Sequence, residues 1–375
     1  MINSLADDQS PAAVQAPPFD GSDIGNGTAG AAVSRVSPAE TQKGKPHGAS
    51  PKPRSGLSPL LAEDLPAWDA LVDASPQGSA FCKSWWLRAA CGQVQILGYF
   101  ESGQLIAGIP LFYTRRMGLR LCWMPLLTQT MGVVISPLRG KYVTIQSRET
   151  SILDIFAARL EQEPIFVQAF HPASQNWLPF YWRGFTQTTH YTYVLDDLES
   201  LSRIWEGLAP QRRPRIRSAQ RRDLHIKECG PEIVYRAAEQ TYRRQKLACP
   251  YRFEHLQRLV EAARSNGAGR CLAAEDSLGR VHAACFFVWD RKRGYYLAGG
   301  QDPALASSGA PDLLRWNLIE FASANTQIFD FEGSMHKPIE ESFRSYGAKK
   351  VAYSRITKLP RWLRIAVAAS GRASY

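Results

Sequence analysis

The stretch YYLAGGQDPALASSGAPDLLRWNLIEFASANTQIFDFEGS, residues 295–334, decides the fold of this protein. Its pattern predicts a strand, a Gly-rich loop, a helix from about Pro311 to Ala324, and a second strand over 327–333. Proline at the first helical position favours this helix start. A strand–helix–strand unit makes its two strands parallel, with a right-handed crossover. The stretch therefore predicts a fold of the α/β (α+β) class.

Two strand meanders, over 94–125 and 269–300, share one spacing pattern, and predicted helices precede each of them. The glycines recur at an offset of 176: Gly103 and Gly118 in the first meander, Gly279 and Gly294 in the second. Repetition of a whole layout indicates an internal duplication. We therefore expect tandem halves, with mixed sheets flanked by helices.

The beginning of the chain has a different composition from the rest. Residues 1–58 contain a single aromatic residue, Phe19, whereas the other 39 of the 40 Phe, Trp and Tyr follow. Such a segment buries too little apolar surface to offset the entropy lost on ordering. The predicted organisation is a disordered tail over 1–58, serving as a linker or docking segment, two halves over 59–195 and 196–360, and an extension over 361–375.

Composition excludes several classes of protein. No apolar run approaches the roughly 20 residues that span a bilayer, and residues 1–18 lack the basic and apolar regions of a signal peptide. The seven cysteines form no C-x-x-C pair. This pattern favours buried thiols in a reducing cytoplasm over disulfides or a metal site. We expect a cytoplasmic protein without a metal, with membrane contact at most peripheral.

The net charge of +11 belongs to the globular part, because five acids and five bases cancel in the first 58 residues. A body this basic favours an anionic partner: a phosphate-bearing cofactor, RNA or an anionic membrane surface. A generic solubilising charge is the alternative. No DNA partner is expected.

Three constellations are able to carry chemistry, and the first is the Gly-rich loop before the Pro311 helix. Small residues and a helix start expose backbone N–H groups to an anion. An ordinary Gly-rich loop is the alternative. The candidate cofactor-binding residues are Gly299, Gly300, Ser308, Gly309 and Ala310.

The second constellation follows the last strand of the quoted stretch. Asp330 and Glu332 alternate at a strand end, where ligands gather in parallel sheets. A carboxylate there is able to remove a proton from an attacking amine. The catalytic candidates are Glu332, Ser334 and Arg344. The alternative is a structural carboxylate paired with Arg344 or Lys337.

The third constellation is QRRPRIRSAQRRDLHIK, residues 211–227, with six arginines between 212 and 222. Clustered arginines bind phosphates bidentately. Arg212, Arg213 and Arg217 are therefore candidates for phosphate or RNA contact, and a solvated basic face is the alternative.

Further polar and aromatic residues are able to line a substrate cleft, although aromatic residues more often belong to a core. The candidate substrate-binding residues are Lys83, Trp86, Thr128, Gln129, Thr130 and Tyr346.

Five segments resemble bacterial proteins of the FemAB-like branch of the GNAT acyltransferase superfamily, often labelled BioF2-like acetyltransferase domains. The likeness covers about 80–358. It rests on FCKSWWL (81–87), MPLLTQTMG (124–132), QRRPRIRSAQRRDL (211–224), YYLAGGQDPALASSGAPDLLRWNLIEFA (295–322) and FDFEGSMHKPIEESFRSYGAKKVAYSRITK (329–358).

The resemblance implies two GNAT-like halves that transfer an acyl or aminoacyl group to an amine. It implies acyl-CoA or aminoacyl-tRNA as donor co-substrate, no tightly bound cofactor, and a small-molecule or cell-envelope amine as acceptor. One departure is visible: the GNAT phosphate pattern R/Q-x-x-G-x-G/A is incomplete, because Ala306 precedes Gly309 by three residues and Pro311 follows it by two.

The main hypothesis is direct attack of an amine between the halves. Glu332 takes the proton, Ser334 orients the amine, and the donor phosphates rest on Gly309, Ala310 and the arginines. Backbone N–H groups over 297–299 hold the oxyanion. The alternative is a catalytically silent module that binds RNA or an anionic surface through the Arg cluster. PRWLRIAVAAS (360–370) predicts an amphipathic helix that packs on the body or touches a membrane surface.

Overall fold

The computed structural model describes residues 53–92, 95–116, 118–333 and 335–369. Its first strand, Gly56–Pro59, pairs antiparallel with Gln95–Glu101. The predicted boundary at residue 58 is therefore several residues late, because pairing with a neighbouring strand orders this segment despite its polar composition. The rest of the predicted tail, residues 1–52, lies outside the described residues.

The described part contains thirteen strands and eleven α-helices. The strands are β1 (Gly56–Pro59), β2 (Gln95–Glu101), β3 (Gln104–Arg116), β4 (Leu119–Trp123), β5 (Val134–Ile135), β6 (Phe166–Ala169), β7 (Thr186–Leu195), β8 (His225–Glu228), β9 (Gly269–Glu275), β10 (Val281–Trp289), β11 (Arg293–Gln301), β12 (Ile328–Asp330) and β13 (Lys349–Lys358). The helices are α1 (Leu65–Ala74), α2 (Ser84–Cys91), α3 (Tyr142–Leu160), α4 (Leu178–Trp182), α5 (Leu201–Gly207), α6 (Arg212–Arg221), α7 (Pro231–Arg244), α8 (Phe253–Ser265), α9 (Ala310–Asn325), α10 (Lys337–Arg344) and α11 (Arg361–Ala369). No helix in these described ranges is long and apolar enough to cross a bilayer.

The strand–helix–strand unit forms as predicted: β11 and β12 are parallel, and α9 connects them. Both meanders also form, and their hairpin turns use Gly103 and Gly279 with φ of +86° and +76°, which glycine adopts without strain. Gly294, however, lies inside β11 and not in a turn. A Cβ there would lie 2.3 Å from the Phe287 ring, so this glycine is explained by packing.

One continuous sheet runs through both halves in the order β1-β2-β3-β4-β6-β13-β7-β12-β11-β10-β9-β8, with β5 paired to β3. The halves exchange their last strands. Strand β7, from the first half, pairs with β12 of the second half, and β13 pairs with β6 of the first. The halves are therefore tandem but interlocked across the middle of the sheet.

The central pair β7–β13 reveals the relationship between the halves. Both strands have ten residues, and the antiparallel register places His190 opposite Tyr353. Each of these residues is the fifth of its strand, so the pair marks a local pseudo-two-fold axis. Their rings lie 5.6 Å apart. This symmetry agrees with the duplication inferred from the meanders.

Alternating strand residues build a core on each face of the sheet. On β10, Ala284, Phe286 and Val288 pack with α2, α7 and α8, whereas Ala283, Cys285 and Phe287 pack with α6, α9 and α10. Such period-two burial on both faces is expected for a sheet covered by helices on both sides.

Lysine 292, at the start of β11, ties the halves together at one end of the sheet. Its ammonium group donates to Val72 O (2.9 Å) and Ser75 O (2.7 Å), the carbonyls at the C-terminal end of α1. A cation is favourable at this end of a helix dipole. This contact holds the first half against the β10–β11 turn of the second half.

Candidate active site

The candidate active site lies where β11 and β12 diverge. Their parallel pairing ends at Tyr295 and Asp330, whereas β11 continues to Gln301. Beyond the last pair, the chain leaves β12 through Phe331 and Glu332. This divergence opens the edge of β11 over 296–301 toward the junction between the halves.

Glu332 has an unusual backbone conformation at this point. Its φ is +65°, a left-handed value that a residue with a side chain adopts only at a cost of order 1–3 kcal/mol. The backbone N–H of Glu332 donates to Asp330 Oδ1 at 2.8 Å, which holds the turn in place. Glu332 as a whole residue is half-buried.

Asp330 is the anchor of this turn and is fully buried. Its Oδ2 accepts from Arg293 Nη1 at 2.8 Å, and its Oδ1 also accepts from Thr192 Oγ1 at 2.5 Å. Gln129 Nε2 then donates to Thr192 Oγ1 at 3.2 Å. Residues of both halves therefore determine where Glu332 is held, since Gln129 and Thr192 belong to the first half and Arg293 to the second.

The surroundings of Glu332 favour its protonated form. Burial raises the pKa of the Glu332 carboxyl well above its ordinary value, and the nearby Asp330 carboxylate raises it further. Three tyrosines lie close enough for the charge of Glu332 to raise their own pKa values, after the larger effect of burial: Tyr242, Tyr251 and Tyr353. A carboxyl group with a raised pKa beside phenol groups is suited to exchanging protons with a substrate.

The first half lacks an equivalent of this acidic turn. Asp330 pairs with Val194, and Val167 pairs with Thr357. Val194 and Thr357 are both the ninth residue of their strands, so the pseudo-two-fold axis relates Asp330 to Val167 and Glu332 to Ala169. Because Val167 and Ala169 are apolar, the acids at these related positions occur only in the second half.

The other two predicted catalytic residues are Arg344 and Ser334. Arg344 lies on α10 with 64% of its side chain exposed, and its Nε donates to Glu340 Oε1 at 2.9 Å. Helix α10 covers the sheet face opposite to the one that carries Thr192 and Tyr353, so Arg344 and the Asp330 anchor lie on different faces. Ser334 lies outside the described residues.

The Gly-rich loop does not offer the phosphate cradle that its sequence predicts. Helix α6 packs directly on this turn, where a Cβ at Gly309 would lie 2.7 Å from Arg215 O. Ser308 and Ala310 are buried. The amides of the first turn of α9 have internal partners: Ala310 N–H donates to Ser308 Oγ, Asp312 and Leu313 donate to Gly309 O, and Pro311 has no N–H.

The two earlier glycines of the loop are explained by close packing. A Cβ at Gly299 would lie 2.4 Å from Ala284 O, and a Cβ at Gly300 would lie 2.1 Å from Ala237 O. Glycine is needed here because β10 and α7 approach β11 closely. The prediction that Gly299 and Gly300 mark a ligand site therefore loses its basis.

Arg212 is a structural residue, which corrects its predicted phosphate role. Its guanidinium forms an ion pair with Asp312 (2.5 Å), donates to Ser345 Oγ (2.7 Å) and lies 4.8 Å from the Tyr346 ring centre. Arg217 is exposed, and Arg213 is half-buried on the same helix. These two remain candidates for contact with an anion.

Several predicted substrate residues belong to the core. Tyr346 is fully buried, and its hydroxyl donates to Asp312 Oδ1 at 2.6 Å. Trp86 is also fully buried and donates from Nε1 to Thr128 Oγ1 at 3.1 Å. Thr128 and Thr130 are themselves buried, so the predicted substrate contact is wrong for these four residues.

The other two predicted substrate residues lie in different places. Gln129 is half-buried and supports the Asp330 anchor through Thr192, which gives it a positioning role. Lys83 lines a separate cleft of about 630 Å³ and forms an ion pair with Asp73 at 2.5 Å. Lys83 is therefore not part of the Glu332 site.

Sequence reasoning missed Arg293, Thr192 and the tyrosines around Glu332. Of these residues, only Arg293 had a recognisable sequence feature, a base at the start of a strand. That feature did not indicate that Arg293 is buried against Asp330. The other residues reach the site because β7 and β13 lie beside β12, which depends on the strand exchange.

The candidate site thus combines two diverging parallel strands with an acid at the point of divergence. Residues 210–334 match the family model of the GNAT acetyltransferase domain. This match covers about a third of the chain, and it lies within the second half.

Solved structures agree with this fold. The crystal structure of FemX has a TM-score of 0.60 at 11% identity, covering 80% of this chain and 96% of FemX. A conserved protein of unknown function from Bacteroides thetaiotaomicron has a TM-score of 0.53 at 11% identity, covering 82% of this chain and 100% of that one. The DUF2156 domain of a putative lysylphosphatidylglycerol synthetase from Agrobacterium fabrum has a TM-score of 0.50 at 13% identity, covering 83% and 96%. These likenesses establish the fold alone. No curated protein sequence matches the chain significantly.

Proposed function

We propose that this protein is a cytoplasmic N-acyltransferase with one acid-bearing site, and that Glu332 is its general base. The observation that carries the proposal is the strained, half-buried Glu332, whose turn is anchored by Asp330 and by residues of both halves. Strain of this kind persists only where its surroundings hold it in place, and it is concentrated at functional sites.

The reaction begins with an acceptor amine at the junction. An alkyl amine has a pKa of about 10 and is mostly protonated at neutral pH. Glu332, once ionised, accepts a proton from the amine, whose nitrogen lone pair attacks the carbonyl carbon of the donor. The acyl–sulfur or acyl–oxygen bond then breaks, and the leaving group takes up a proton.

The open edge of β11 provides the second element of the mechanism. Backbone N–H groups over 297–299 lie beyond the last β11–β12 pair, and we assign them to the oxyanion of the tetrahedral intermediate. Such preorganised donors typically contribute 10²–10³-fold in rate.

Acyl-CoA is the proposed donor, because the matched domain is a GNAT acetyltransferase domain. The start of α9 is already satisfied internally, so the donor phosphates are assigned to Arg213 and Arg217 on α6. Aminoacyl-tRNA is the alternative donor, and a small-molecule or cell-envelope amine is the acceptor.

The test compares Glu332→Gln with the control Glu320→Gln, which changes an exposed glutamate of α9. Thiol release from acetyl-CoA is measured with a panel of primary amines. Loss of a general base lowers kcat by about 10²–10⁴-fold, whereas the control retains the wild-type rate. Full activity of a folded Glu332→Gln protein would refute the assignment. If the wild type is inactive and native mass spectrometry detects neither CoA nor aminoacyl-tRNA bound to it, the proposal that the protein is an enzyme is refuted.

A binding module is the second candidate, and the closed start of α9 is the observation that favours it. Arg215, Arg217, Arg221 and Arg222 are all exposed on or next to α6. Such a surface would bind RNA with an affinity that falls steeply with salt concentration. Steep salt dependence without turnover of any acyl donor would identify this function.

A further inference from the structure

We infer that helix α11 docks the protein onto an anionic lipid surface, independently of the acyl transfer proposed above. The helix lies against the body through Leu363, which is 1% exposed and packs with Leu121 and Ile165. Its described neighbours Arg361, Trp362, Arg364 and Ile365 are exposed, so this part of α11 lies on the molecular surface.

The outward side of α11 carries two apolar side chains. Trp362 is 54% exposed and Ile365 is 69% exposed. At helical spacing, Ile365 lies almost opposite the inward Leu363, and Trp362 lies beside it. Tryptophan favours the boundary between headgroups and acyl chains, and an aliphatic side chain gains free energy by leaving water.

Basic residues surround these two side chains. Arg361 and Arg364 are both exposed on α11. A helix with a basic polar face and Trp or Leu on the other lies in the plane of a membrane interface. The charge selects anionic headgroups.

The same charge argues against the other occupants of this face. A second copy would bring two basic segments together, which is electrostatically unfavourable. RNA would satisfy the arginines but would not bury Ile365 in an apolar environment. An anionic bilayer provides both negative charge and hydrocarbon, so it fits the whole outward side of the helix.

Exposed aromatic residues on a second helix occupy the same end of the sheet. Tyr181 and Trp182 on α4 are 59% and 62% exposed. Arg183, directly after α4, donates to the Glu161 carboxylate, and Lys358, directly before the α11 segment, donates to Glu161 O. The two helices therefore flank one residue, and both present aromatic side chains to the surroundings.

The experiment measures co-sedimentation of the full chain with vesicles of phosphatidylcholine alone and of phosphatidylcholine and phosphatidylglycerol in equal amounts. We expect binding to the anionic vesicles only. The double change Arg361→Gln with Arg364→Gln should weaken binding about 25-fold, since each base near an anionic surface contributes roughly fivefold. The double change Trp362→Ser with Ile365→Ser should weaken it by at least about tenfold.

Matched controls keep the test specific. Leu278→Ser changes a leucine that is 75% exposed in the β9–β10 turn, and Arg243→Gln changes an exposed arginine on α7. Both should bind as the wild type does, and circular dichroism verifies that every variant is folded. Equal binding to neutral vesicles, no binding by the wild type, or equal losses in the controls would overturn the proposal. So would sedimentation velocity showing a dimer that Trp362→Ser with Ile365→Ser dissolves, because a second copy would then occupy the face.

Discussion

Replacement of Arg293 by methionine tests the anchor beneath Glu332. The substitution retains length and apolar stem but removes the guanidinium from a pair in which Asp330 is fully buried. The Asp330 carboxylate then keeps its hydrogen bonds from Thr192 and from the Glu332 backbone but loses its charge partner. Removing one partner of a buried pair costs about 3–5 kcal/mol, because a buried charge is left uncompensated.

The expected shift in melting temperature follows from the size of the folded part. Roughly 310 described residues, at about 2.1 cal/mol/K each, give an unfolding entropy of about 0.65 kcal/mol/K. A loss of about 3–5 kcal/mol therefore lowers Tm by about 5–8 °C. The measurement is thermal unfolding followed by circular dichroism, with urea unfolding as an independent check.

A control variant and a double variant make this test specific. Arg291→Met changes an exposed arginine of the same turn and should alter Tm by less than 1–2 °C, roughly what a surface change produces. Adding Asp330→Asn to Arg293→Met should restore about half or more of the loss. A cost below about 1 kcal/mol, or no recovery in the double variant, would refute the anchor.

Four further predictions concern Glu332, Tyr346 and Gly309. Glu332→Gln should raise Tm at pH 8 but not at pH 4. The pKa of Glu332 is raised in the folded state, whereas the unfolded chain ionises above about pH 4.5, so wild-type stability falls as pH rises. A gain in Tm confined to pH 4 would contradict this prediction. By the same pKa direction, kcat/KM should rise with pH in a range above that of an ordinary glutamate. A profile that Glu332→Gln leaves unchanged would exclude this base. Tyr346→Phe should cost about 1–3 kcal/mol in urea unfolding through the lost hydrogen bond to Asp312, and a neutral result would show that Arg212 satisfies this carboxylate alone. Gly309→Ala should destabilise by about 1–2 kcal/mol or more, since its φ is +78° and the new methyl group would meet Arg215 O; a stabilising effect would contradict the packing of α6 on α9.

Local patterns in the sequence were sufficient for much of the architecture. The helix predicted from Pro311 to Ala324 spans Ala310–Asn325, and its flanking strands are parallel. These features depend on neighbouring residues, such as a proline at a helix start and apolar residues at helical spacing, so a short window contains the information. The placement of Glu332 at a strand end is local for the same reason.

The contacts of the candidate residues were not predictable in this way. Arg212 pairs with Asp312, a hundred residues away, and an arginine in a basic run shows no sign of such a partner. Tyr346 was predicted to contact substrate, yet it is buried and its hydroxyl donates to the carboxylate of the same Asp312. Whether a polar side chain faces solvent or satisfies a buried group depends on which elements pack against it.

The sequence alone therefore determined the succession of helices and strands, the duplication and the position of the acidic turn, because each is encoded in residues close together along the chain. Only the tertiary structure decided that the halves exchange β7 and β13, that Thr192 and Arg293 meet at Asp330, and that α6 closes the start of α9. These outcomes depend on burial and on contacts between residues far apart along the chain. The free energy that favours such contacts comes from packing of the whole fold, so no short segment encodes it.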